Sequence, residues 1–180
     1  VPELVPMDKP FHRVLHPTDF SAASQVAYEH ALKIALAMRG KLTLLHVTAA
    51  DAEAEWSDFP GVRDTLHTWG LLPAGARHED VAPLGLGVRK ILAEKKDPVE
   101  ACMDLLEGHP ADLIVLATSQ GRERARWLGG EVSRPLAREA GLPTLFIPAG
   151  AKGFVHSGTG ALDLRRVLMP LATEPSPREA

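Results

Sequence analysis

Two short stretches of this chain carry residue types that can hold a polar ligand or an anion. The first is Pro17-Thr18-Asp19, a hydroxyl and a carboxylate directly after the β-prone run Phe11-His-Arg-Val-Leu-His16. The second follows the apolar run Ala111-Asp-Leu-Ile-Val-Leu-Ala117 and reads Thr118-Ser-Gln-Gly-Arg-Glu-Arg-Ala-Arg-Trp-Leu-Gly-Gly-Glu-Val-Ser133. A strand, a glycine loop and a helix start form the layout of a phosphate-cradling turn. The helix N-terminus there presents unpaired N–H groups and the positive end of its dipole. Glu131, however, stands at that helix start. An ionised carboxylate cannot donate a hydrogen bond, repels phosphate, and satisfies the helix dipole itself. Arg122, Arg124 and Arg126 either supply charge to a phosphate or form a solvated basic loop. Ser133 either restores a hydroxyl or is a first-turn polar residue beside Pro135.

The elements that must position these residues alternate along the chain. After the first strand, Asp19-Phe20-Ser21 offers capping residues for an Ala-rich helix from Ala22 to Arg39, with Gly40 as its stop. Ala27, Ala31, Ile34, Ala35 and Met38 recur at helical spacing, giving an apolar face of small residues. Leu42-Thr-Leu-Leu-His-Val47 is a second strand, and the strand–helix–strand order predicts a right-handed parallel crossover. From Thr48 to Leu86 the pattern weakens: a helix over Val62 to Leu72 is flanked by Pro/Gly-rich turns. Val88 to Ala93 reads as a third, edge strand. Asp97-Pro98 opens a helix with Val99, Cys102, Met103 and Leu106 inward and Gly108 as its end. Ala111 to Ala117 is the most hydrophobic strand and the expected sheet centre. A helix from Glu131 to Ala140 and a last strand, Leu142-Pro-Thr-Leu-Phe-Ile147, complete the unit.

Five alternations predict a doubly wound, five-stranded parallel sheet in a three-layer α/β/α domain. Ligands of such sheets bind beyond the carboxyl ends of the strands, where the strand order reverses. Asp19, Val47 and Thr118 to Gly121 all fall at expected strand ends on that edge. Residues 1–10 read as an extension, 11–149 as the α/β domain, and the Gly/Ala-rich 150–163 as a linker. Arg166-Val-Leu-Met-Pro170 echoes Arg13-Val-Leu-His-Pro17 about one domain length downstream. Residues 164–180 are therefore expected to be the first strand and start of a second, incomplete repeat; the plainer reading is a chance match.

The 180 residues carry a net charge of −3 and 24% charged side chains, an ordinary globular composition with no polyanion-binding signature. Nucleic acid is not an expected partner. Nor is a membrane, because no apolar run nears the ~20 residues that crossing requires. The single cysteine, Cys102, cannot form an internal disulfide; it suits a reducing, cytoplasmic setting and reads as a packed core thiol. His16 and His46 lie near adjacent strand ends. Two histidines without a third ligand at set spacing are poor grounds for a metal, and strand alternation can face them apart. No Walker-type lysine, nucleophile elbow or histidine–glutamate zinc motif occurs.

Val14-Leu-His-Pro-Thr-Asp-Phe-Ser21, Leu42 to Val47, Ala111 to Ala117, the glycine loop and Leu142 to Ile147, in this order and spacing, resemble the universal stress protein family. The resemblance implies a dimer through the last strand and, in one subgroup, ATP at the strand ends. There an Asp after the first strand and a Val after the second contact adenosine. A loop of the form Gly, two residues, Gly, nine residues, Gly, then Ser or Thr holds the phosphates. By position these are Asp19, Val47, Gly121 and Gly130, and the candidate contacting set is Pro17, Thr18, Asp19, Val47, Ala117, Thr118, Gly121, Arg122, Gly130, Glu131, Val132 and Ser133. Three positions depart from the pattern. Thr118 replaces the first glycine, eight residues separate Gly121 from Gly130, and Glu131 replaces the hydroxyl residue. The resemblance then implies a stress-response protein with a degenerate nucleotide site that needs no cofactor and pairs through Thr144–Ile147, with a second copy or a second domain. The alternatives are an ATP-binding member, with magnesium, and an enzyme that hydrolyses or transfers adenine nucleotide. Asp19 and the glycines keep a second reading as a turn residue and as loop geometry.

Overall fold

The computed structural model describes residues 10–48, 55–95, 97–118 and 132–168. Within them run β1 (Arg13–Pro17), α1 (Ala22–Ala37), β2 (Lys41–Thr48), α2 (Val62–Thr68), β3 (Gly87–Glu94), α3 (Pro98–Gly108), β4 (Leu113–Thr118), α4 (Ser133–Ala140) and β5 (Thr144–Pro148). All four strand pairings are parallel, in the order β3-β2-β1-β4-β5. Parallel strands need cover on both faces, and two apolar clusters supply it. Val14, Leu42, Leu44, Leu113 and Val115 pack on α1 and α2 residues such as Ala27, Leu32 and Leu66. Leu15, Leu45, Ile114 and Leu116 pack on the α3 and α4 residues Val99, Cys102 and Leu136. The sheet centre is β1, not β4 as hydrophobicity suggested; β4 lies beside it, also buried on both faces. The small side chains of α1 work as expected: Ala27, Ala31 and Ala35 are fully buried and let the helix lie close on β1 and β4.

Local chemistry sets the helix ends. Ser21 caps α1, its Oγ accepting from Ser24 N at 3.1 Å, and Asp97 caps α3 with Pro98 in the first turn. The residue that takes the left-handed conformation after α1 is Arg39, φ 51°, rather than Gly40. Gly40 is needed for a different reason: a side chain there would collide with the backbone carbonyl of His12. The middle region, read only as one helix and turns, holds α2 and two 3₁₀ turns, Trp56–Asp58 and His78–Leu84.

Residues 150–163, expected as a linker, fold back over α1 and α2. Val155 bridges Leu162 in antiparallel fashion, and Val155 and Phe154 join the first core cluster. His30, fully buried on α1, fastens this hairpin. Its Nδ1 lies 2.7 Å from the Val26 carbonyl, which can only accept, so Nδ1 carries the proton. Nε2 is then free to accept from Phe154 N at 2.9 Å and Val155 N at 3.2 Å. Trp69 adds a second tie, its Nε1 donating to the Ser157 carbonyl at 2.8 Å. Residues 163–168 form no strand; Met169 to Ala180, with the end of the repeated motif, lie outside the described residues.

Gly153 sits at φ 67°, and a Cβ there would run into the His30 ring. Gly153→Ala should therefore cost about 1–3 kcal/mol in urea unfolding and open trypsin cleavage at Lys152. Unchanged stability and unchanged cleavage would show that the hairpin is not fastened in this way.

Candidate functional site

Helices α1 and α2 lie on one face and α3 and α4 on the other, so the connections change sides between β1 and β4. Beyond the carboxyl ends of those two strands the sheet has a topological switch point, and the expected residues gather on that edge. Pro17, Thr18 and Asp19 follow β1, and Thr118 ends β4 beside Pro148 of β5. Val132 and Ser133 open α4, both buried. Val47 lies one residue inside β2, and its side chain belongs to the α3/α4 core layer. Ala117 packs on the opposite face, in the α1/α2 cluster. Gly121, Arg122, Gly130 and Glu131 fall outside the described residues.

The polar groups of this edge divide into a satisfied floor and an unsatisfied rim. In the floor, His16 is fully buried and its Nδ1 donates to the Val115 carbonyl at 2.8 Å, tying β1 to β4. The Ser24 hydroxyl donates to Thr18 Oγ1 at 2.8 Å and lies 3.4 Å from His16 Nε2. Thr18 Oγ1 also accepts from Phe20 N at 3.1 Å, and the Thr18 carbonyl accepts from His46 Nδ1 at 2.7 Å. His16 and His46 share a face, contrary to the expectation from alternation, since His16 pairs with Leu44 and His46 lies two residues on. Each imidazole is engaged by a backbone carbonyl. On the same side Phe20, in the left-handed region at φ 61°, stacks on His46 at 4.0 Å and meets Phe59 edge-on at 5.2 Å.

At the rim, Asp19 Oδ1 accepts from Ser21 N at 3.0 Å, so the residue does act as a turn former. Its Oδ2 is buried without a hydrogen-bond partner among the described residues, and so is Ser133 Oγ. Buried polar atoms left unpaired cost free energy, on the order of 1–3 kcal/mol each. A bound polar molecule would relieve such atoms. Ser24 and Phe20 were not foreseen. Ser24 reads in sequence as one more small residue of the helix face, and nothing local marks Phe20 as left-handed.

A universal stress protein family model matches residues 10–148. The chain belongs to that family. Among solved members it is similar to a universal stress protein from Archaeoglobus fulgidus, with 16% identity and a TM-score of 0.50 over 76% of this chain and 98% of that one. The universal stress protein UspA from Lactobacillus plantarum shares 22% identity at a TM-score of 0.48, over 76% of this chain and 97% of that one. A family member from Arabidopsis thaliana, solved with AMP bound, shares 20% identity at 0.43, over 75% and 90%. These identities speak for the fold alone. No curated protein sequence matches the chain.

Burial pushes the His16 imidazole down to about 4, against smaller upward effects from the Val115 carbonyl, Asp19 and Ser24. A folded-state value below the unfolded one means that the neutral ring's contribution is intact above pH 6.5. It is lost as pH falls towards 4, where the unfolded chain takes up a proton that the folded one refuses. His16→Gln should lie well below wild type in urea stability at pH 7, and the gap should narrow by roughly 3 kcal/mol by pH 4. A gap that stays constant with pH would remove His16 as a buried neutral group.

Proposed function

We propose that this member of the universal stress family carries a degenerate adenine-nucleotide site, binds ATP weakly or not at all, and acts by association through the free edge of β5. The observation that carries the reading is Glu131. The loop pattern of the nucleotide-binding subgroup calls for a hydroxyl donor there, and this chain supplies an acceptor-only anion. The loop is also one residue short and begins with Thr118 in place of glycine. A triphosphate would meet a like charge where the helix dipole should welcome it.

The adenosine end fits better than the phosphate end. Asp19 Oδ2 can accept from a ribose hydroxyl or an adenine amino group, and Ser133 offers a hydroxyl two residues after Glu131 in the sequence. These two unpaired groups favour a second reading, in which the site takes a nucleoside or a monophosphate rather than a triphosphate. Other family members have been solved with cAMP, dAMP and AMP; for this chain the ligand rests on Asp19 and Ser133.

Calorimetry with AMP and with Mg-ATP separates the readings. The degenerate site predicts little heat from Mg-ATP for the wild-type chain and a gain of about tenfold or more in Glu131→Ser, the size of one charge-assisted contact restored. Tight stoichiometric ATP binding by the wild-type chain would refute the first reading. Phosphate release abolished in Glu131→Ala would point instead to an enzyme.

The pairing surface is argued from the sheet. β5 is bonded to β4 on one side only, and Phe146 stays 39% exposed. A free strand edge with an apolar side chain recruits another strand. Sedimentation velocity should show a dimer that Phe146→Lys converts to monomer. A wild-type monomer would count against association through β5.

A further inference from the structure

We propose that a second anion site lies at the opposite edge of the sheet, in a cleft of about 420 Å³ at the amino ends of β1, β2 and β3, suited to a small phosphorylated molecule. Parallel register builds it. Arg13 stands beside Lys41, and Thr43 beside Arg89. With a side-chain period of two, all four project from one face. It is the α3/α4 face, because Leu15, Leu45 and Ile91 further along the same rows pack in that core layer. α3 ends at Gly108, and His109 and Pro110 form the facing wall. The helix stops short, and the start of the sheet is left open beneath it.

The charges do not cancel. Among the described residues, no acidic side chain lines the cleft. Asp112 holds Arg13 in an ion pair and also accepts from Arg13 N. Lys41 and Arg89 have no ion-pair partner among the described residues. The carbonyl end of α3 presents about half a negative charge, too little to balance two fixed cations. A basic residue on an exposed edge strand also deters sheet-to-sheet pairing, which would explain Arg89 on β3. It does not explain Lys41, which sits on the interior strand β2. Nor is the cluster an overflow from a basic chain, since the net charge is −3. Two cations without an ion-pair partner among the described residues, the Thr43 hydroxyl and the His109 ring around one concavity form a donor set for phosphate. The volume falls within the range of small-ligand pockets. Along β2, Thr43 of the cleft and Val47 of the nucleotide edge are four residues apart, about 13 Å, so the two sites are separate.

The test is an NMR titration of ¹⁵N-labelled protein at about 0.15 M salt, with inorganic pyrophosphate in one arm and glucose 6-phosphate in the other. Saturable shifts at Thr43, Gly87 and Gly108 are expected. Tighter binding of the sugar phosphate identifies an esterified ligand, and tighter binding of pyrophosphate an inorganic one. Lys41→Glu and Arg89→Glu should each weaken binding about tenfold, while Asp19→Asn leaves it unchanged. Lys41→Gln with Arg89→Gln serves if charge reversal disturbs folding. Absence of saturation in both arms, affinity indifferent to these variants, or loss of binding in Asp19→Asn would overturn the proposal.

Discussion

The structure depends on one constraint: five parallel strands have to hide both faces, while each crossover has the same hand. Starting from β1, the chain winds outward through α1 and α2 to β3. It must then return beneath the sheet through α3 to reach β4. That return places β1 and β4 side by side with their following loops turning to opposite faces. The gap between those loops is a by-product of covering the sheet, and it exists whatever the loop residues are. What the sequence decides is how the gap is furnished. Here Asp19 follows β1 and Ser133 opens α4.

Beneath that gap lies a layer of polar groups that is already content. His16, Ser24 and Thr18 satisfy one another and bind β1 to β4 and α1. Such a network fixes the carboxyl ends of the central strands, which gives the rim a rigid base. Asp19 and Ser133 contrast with that layer. One set is spent on holding the structure, and the other has acceptor or donor capacity left over among the described residues. Family membership alone would not distinguish these roles; the hydrogen-bond geometry does.

Much of the architecture was legible in the residues because it rests on local periodicity. β1, α1, β2, α3, β4 and β5 all carry clean apolar patterns, most with a cap or a proline at or beside an end. The centre of the sheet was misplaced because hydrophobicity reports burial rather than order. β4 is uniformly apolar, whereas His16 and Pro17 disguise β1, although both are buried there. The stretch from Trp56 to Leu84 was poorly read since its order comes from Phe59, Leu66, Trp69 and Val81 packing on distant elements, not from a repeat. The hairpin after β5 escaped for a related reason. Gly and Ala suggest freedom, yet Phe154 and Val155 are anchored by a histidine more than a hundred residues earlier. Asp19, Thr118 and Ser133 were named from spacing; in the fold Asp19 follows β1, Thr118 ends β4 and Ser133 opens α4. The floor beneath them, with Ser24 and His46, was not named, because it is assembled only when β1, β2 and α1 come together.

Cys102 is the chain's single thiol, fully buried on α3 in the second core layer, and burial pushes its ionisation up to about 12. Only the thiolate attacks electrophiles, so at neutral pH the folded molecule is doubly protected, by enclosure and by protonation. Its reaction with an alkylating reagent must wait for the layer between α3 and the sheet to part. The molecule thus contains a natural clock for its own breathing, set in the half of the domain that also supports the start of α4.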